Sequence, residues 1–101
     1  MLDPRVAPKL QTPERQPIHA RILAAGLDDE ATYVAELLLA MTDGDYTIRI
    51  SNWVAVELFE LAISEWRAVV AALAAANLIT VAWDDTATRA TVTFLQEDPN
   101  A

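Results

Sequence analysis

A length of 101 residues, 53% of them apolar, suits one small domain with its own core, and the absence of cysteine excludes disulfides and thiolate metal sites. The formal charge of −8 is unevenly placed: residues 1–27 carry four basic against two acidic side chains, and residues 28–101 three against thirteen. So acidic a body opposes the phosphate rows of a duplex at long range, and any DNA contact has to be local.

Pro4, Pro8, Pro13 and Pro17 interrupt the first stretch, which lacks the apolar middle of a signal peptide and predicts an extended, Pro-rich arm over 1–17. In "IHARILAA", Ile18, Ile22 and Ala25 fall at helical spacing and Gly26 supplies a left-handed stop, so a short helix is expected there. Asp28 or Asp29 caps a second helix whose apolar face holds Val34, Leu37, Leu38 and Met41, and "TDGD" ends it. "YTIRIS", Tyr46 to Ser51, alternates apolar and polar residues as a strand does. Ser51 or Asn52 then caps a helix over Trp53–Leu61.

After "AIS" comes "SEWRAVVAALAAANLI", a helix that Ser64 is placed to cap and that Asn77, tolerant of left-handed backbone, ends. "LITVAWDDTATRATVTFL" forms two alternating runs around "DDTA", a hairpin pattern. The longest apolar run, Ala68–Ala76, is far short of the ~20 residues that span a bilayer, so a cytoplasmic protein is expected. The domain reads as 18–97, with a frayed end at 98–101.

This order of elements, with "LAIS" at 61–64 and "LIT" at 78–80, resembles the winged helix-turn-helix family over residues 28–95. The resemblance implies an α+β fold of helix, strand, helix, turn, helix and β-hairpin wing, here preceded by an extra N-terminal helix and the arm. It further implies that Ile63 and Ser64 close the turn before a recognition helix and that Asn77, Leu78 and Ile79 lead into the wing; the chain departs from the family at Ala55, which takes the place of the alanine near the turn only if its helix runs about a turn longer. The family's usual implication is sequence-specific DNA binding through the major groove.

The surface residues argue differently. At 3.6 residues per turn, Trp66, Val69, Val70 and Leu73 face the core, leaving Glu65, Arg67, Ala68, Ala71, Ala72 and Ala75 outside. Of these, Arg67 alone reaches a guanine edge or a phosphate, while the expected wing tip offers Asp84 and Asp85 with Arg89 as its one basic group. A face of methyl groups permits close approach of another surface, so Glu65, Ala68, Ala71, Ala72 and Ala75 are read as a protein-interaction face for a second copy or a partner helix, although alanine here also simply favours helix. Trp53 and Trp83 serve either as interface aromatics or as packing.

Catalysis finds little chemistry to work with. His19 is the sole imidazole, Ser51 and Ser64 fall at expected helix caps, and Gly26 and Gly44 build no phosphate loop. No loop pattern gathers Asp43, Asp45, Asp84 and Asp85 around a cation, so neither cofactor nor metal is expected. The sequence therefore points to a non-enzymatic, homodimeric regulatory or adaptor module acting through protein contacts, linked to transcription or DNA-associated machinery. Two alternatives stand beside it: a dimeric DNA-binding regulator using Arg49, Arg67 and Arg89, and an acidic DNA mimic that inhibits a basic protein.

Overall fold

The computed structural model describes residues 7–96. Its elements are α1 (Ala7–Leu10), α2 (Gln16–Ala24), α3 (Asp29–Met41), β1 (Thr47–Ser51), α4 (Asn52–Phe59), α5 (Ile63–Ala75), β2 (Ile79–Trp83) and β3 (Arg89–Phe94). They form a small α+β domain with one three-stranded antiparallel sheet, ordered β1-β3-β2. The expected frayed end, 98–101, lies outside the described residues, as do positions 1–6 of the expected arm.

Helix α3 forms the centre. Asp28 caps it, Oδ1 accepting from the Ala31 amide at 2.8 Å, with Asp29 and Glu30 in a first turn where the helix dipole favours negative charge. Ala31, Val34, Ala35, Leu37, Leu38, Leu39 and Ala40 are all buried, which exceeds the width of an ordinary amphipathic stripe, so covering is needed on more than one side. Met41, expected on the apolar face, is 41% exposed because the last turn runs past that cover.

Much of the cover comes from the stretch expected as an extended arm, and that expectation is corrected. Residues 7–10 form α1, and Leu10 is 1% exposed within the core. The carbonyl of Thr12 accepts from the amides of both Arg15 and Gln16, turning the chain into α2, where Pro17 occupies the first turn and its missing N–H costs nothing. Arg15 then donates to the carbonyls of Leu39 (3.4 Å) and Thr42 (2.8 Å) and lies over the Tyr46 ring, supplying the cation that the last turn of α3 lacks. Buried Glu36 of α3 pairs with His19 of α2, Nε2 to Oε2 at 2.6 Å, as a carboxylate removed from water must be paired. Gly26, at φ +74°, ends this region where a left-handed residue was expected.

The sheet closes the opposite side. Ile50 stands across from Ala90 and Ile48 from Val92, and β2 joins β3 with Ile79 opposite Phe94. Alternation sends these residues toward the helices and Thr47, Arg49, Ser51, Thr80, Arg89, Thr91 and Thr93 to the open face. Tyr46 has φ +59°, so β1 begins one residue after the expected start.

Between the strands, α4 is capped by Ser51, whose Oγ accepts from the Val54 amide, and is ended by Glu60 at φ +56°. Ala62, not Ser64, is the N-cap of α5: the Glu65 carboxylate accepts from the Ala62 amide at 3.0 Å, and an alanine side chain returns no bond. Trp66 is fully buried and stacks on Phe59 with centroids 5.6 Å apart. Asn77 takes φ +60° at the end of α5 and the Leu78 amide donates back to Leu73, as the residue type foretells.

Because Leu10 is buried in the common core, Leu10→Ala should destabilise the protein by about 2–5 kcal/mol in urea unfolding, whereas a loosely attached arm would give no change.

Candidate interaction surfaces

The residues of α5 fall as the period requires. Trp66, Val69, Val70 and Leu73 are buried, while Glu65, Arg67, Ala68, Ala71, Ala72 and Ala75 are exposed. The alanine face is nevertheless divided between two recesses. Ala68 and Ala72, with Glu65, line one of about 190 Å³ against Asp28 and Glu30. Ala71 lines another, of about 320 Å³, with Arg67, Val70, Val81, Trp83 and Ala87.

Arg67 folds back onto the β2–β3 hairpin. Its Nη2 donates to the Ala87 carbonyl at 2.6 Å, and its guanidinium lies 5.3 Å from the centroid of the half-buried Trp83 ring. The same carbonyl accepts from Nδ2 of buried Asn52 at 3.0 Å, so one oxygen at the tip of the β2–β3 hairpin ties that hairpin to both α4 and α5. Trp83 thus acts as a platform for Arg67, whereas Trp53, the other aromatic expected at an interface, is 71% exposed at the start of α4.

The hairpin tip is self-contained. Asp84 Oδ1 accepts from the amides of Thr88 (2.8 Å) and Arg89 (3.3 Å), its oxygens also take the hydroxyls of Thr86 and Thr88, and Ala87 adopts φ +56°. The Thr88 amide above all, against some desolvation, and then the Thr88 hydroxyl, the Arg89 amide and the Thr86 hydroxyl hold this carboxyl below its ordinary value of 3.8. Asp85 stays exposed. The pattern Asp84, Thr86, Thr88 carries an Asx-turn signal that a reading of Asp84 as a free surface charge passes over.

Arg49 and Arg89 are brought together, away from Arg67. Arg49 stands opposite Thr91 and Ser51 opposite Arg89, which makes the two arginines diagonal neighbours on the open face. They share a recess of about 280 Å³ with Met41, Ile48 and Val54. The three arginines expected as one nucleic-acid set thus occupy two separate places. Among the described residues His19 and Glu36 form the one contact within 4.0 Å between a basic and an acidic side chain, and Arg49, Arg67 and Arg89 have no carboxylate partner.

Sequence reasoning singled out Trp53 but missed Val54 and Leu58 beside it on the outward side of α4. Trp53, Val54 and Leu58 are exposed, with Ile63 of α5 nearby in the chain, because Asn52, Ala55 and Phe59 occupy the inward side. A signal was present: apart from Glu57, "WVAVELF" is apolar, and a helix of that kind at a surface leaves apolar area uncovered beside the one carboxylate.

Comparisons with family models, curated proteins and solved structures found no match for this chain. Among the described residues, no group of three or more His, Cys, Asp or Glu side chains is placed to hold a metal ion. No described helix is long and apolar enough to cross a membrane.

The lowered Asp84 value has a defined pH consequence. A carboxyl that ionises more readily when folded contributes fully above its unfolded value and loses that contribution as pH falls through the folded one. Amide signals of Thr88 and Arg89 should therefore shift together below pH 3.8, and Asp84→Asn should remove that transition from an NMR titration.

Proposed function

We propose that this protein is a non-enzymatic regulatory or adaptor module of winged-helix type, working through protein contacts, self-association included. The winged-helix reading is supported by the order of α3, β1, α4, α5 and the β2–β3 hairpin, by β1 joining that hairpin through β3, and by the left-handed Asn77 between α5 and β2.

The observation that carries the functional half is the engagement of Arg67. A helix that reads DNA needs long polar or basic side chains aimed outward, and the one arginine of α5 is bonded to Ala87 and stacked on Trp83. What remains outward on α5 is Ile63, Ser64, the Glu65 carboxylate and the alanine methyl groups. The apolar stripe of Trp53, Val54 and Leu58 offers a second copy of the chain the kind of aromatic-anchored surface that association favours.

Fluorescence anisotropy with random-sequence duplex DNA at low salt, together with sedimentation of the same sample, tests this. The expected result is no DNA binding, a dimer for the native chain, and a monomer for Leu58→Glu. Salt-sensitive DNA binding weakened by Arg67→Ala would overturn the reading in favour of a DNA-binding regulator.

A further inference from the structure

The free edge of β1 deepens the reading of the protein as a protein-binding module, on which the following rests. Among the described residues β1 pairs with β3 alone, which leaves its other edge without a strand. The Tyr46 carbonyl accepts from Phe94 and the Asn52 amide donates to Thr88, so residues 46, 48, 50 and 52 direct their backbone groups at β3. Alternation then turns the backbone of Thr47, Arg49 and Ser51 outward. The Thr47 amide is taken by the Asp45 carboxylate, which leaves the Thr47 carbonyl, both groups of Arg49 and the Ser51 amide for an incoming strand.

Two recesses run along this edge and share Met41, Ile48 and Arg49. One, of about 480 Å³, extends to Asp43 and Asp45, and the other, of about 280 Å³, extends to Val54 and Arg89. The chemistry alternates as a strand's side chains do. Toward the helices lie Ile48 and the exposed apolar groups of Met41 and Val54, and on the open face lie Arg49 and Arg89. Among the described residues no body arginine has a carboxylate partner, and Arg67 is bonded to the Ala87 carbonyl, so Arg49 and Arg89 are the two with neither, in a stretch where acids outnumber bases thirteen to three.

We infer that the β1 edge binds an extended segment of a partner protein that alternates apolar and acidic residues, adding it as a fourth strand. Its apolar side chains fill the recess at Met41, Ile48 and Val54, and its carboxylates meet Arg49 and Arg89. Asp43 and Asp45 repel further acid at the opposite end and so fix the segment's placement. A second copy of β1 suits this edge poorly: a two-fold centred on Arg49, whose outward backbone groups make the middle bonds, sets one guanidinium against another. Nucleic acid suits it poorly as well, since Asp43 and Asp45 would face phosphates.

The test uses the full chain and three labelled short peptides in fluorescence anisotropy: valine alternating with glutamate, valine alternating with lysine, and the first peptide N-methylated at every second amide. The glutamate peptide should bind, the lysine peptide should not, and N-methylation should abolish binding, because strand addition needs the amides. The double variant Arg49→Glu with Arg89→Glu, both exposed positions, should weaken the glutamate peptide by about tenfold or more and transfer preference to the lysine peptide, with an unchanged thermal melt. Equal binding of both peptides, insensitivity to N-methylation, or no binding of the glutamate peptide would overturn the inference. So would Arg49-dependent binding of a single-stranded oligonucleotide. Peptide failure without DNA binding removes this site alone, whereas duplex binding removes the protein-module reading beneath it.

Discussion

Burial of α3 on nearly all sides is the constraint around which the rest of the structure is arranged. A helix carrying Val34, Ala35, Leu37, Leu38, Leu39 and Ala40 inside cannot rest on one neighbour, because each flank left in water forfeits its transfer free energy. α1 and α2 lie along it from one direction, and α5 packs on it from another. Leu10, Ile18 and Ile22 therefore belong to the same core as Trp66, Leu73 and Phe94. The cost of burying Glu36 is met within this arrangement by His19, so the α2–α3 contact carries an orienting polar bond besides apolar area.

A second regularity concerns the scarce cations. Arg15 reaches the last carbonyls of α3, Arg21 donates to the Leu95 carbonyl, and Arg67 donates to that of Ala87. In each case a guanidinium joins segments far apart in sequence by satisfying a main-chain oxygen left over at the end of an element. In a protein this acidic, such use divides the basic residues by role. Arg15, Arg21 and Arg67 bond the chain to itself, whereas Arg49 and Arg89 lie exposed on the open face of the sheet.

How much of this was legible in the sequence depended on whether the determinant was local. The inward face of α5, the Asp28 and Ser51 caps, and the left-handed stops at Gly26 and Asn77 follow from spacing and residue type within one turn, and all were readable. The start of the chain was not, because proline suits an extended segment and the first turn of a helix equally, and only the burial of Leu10 separates the two. α4 misled differently: its apolar residues circle the helix, so no period marks Trp53 and Val54 as outward. The face of Glu65, Ala68, Ala71, Ala72 and Ala75 was correctly placed outside, but the destination of Arg67 depends on a hairpin twenty residues further on, beyond the reach of any local pattern.

The strand order has a consequence for how the molecule comes into being. Since β1 pairs with β3 and not with β2, the earliest strand made waits for the latest, and Thr47 meets Thr93 only when nearly all of the described chain exists. During synthesis α3, α4 and α5 are complete while both edges of β1 are bare, and closing the sheet carries the loop-closure entropy of a long intervening segment. The β1–β3 ladder is thus the long-range closure of the sheet, and its entropic cost is set by the whole segment between Thr47 and Thr93.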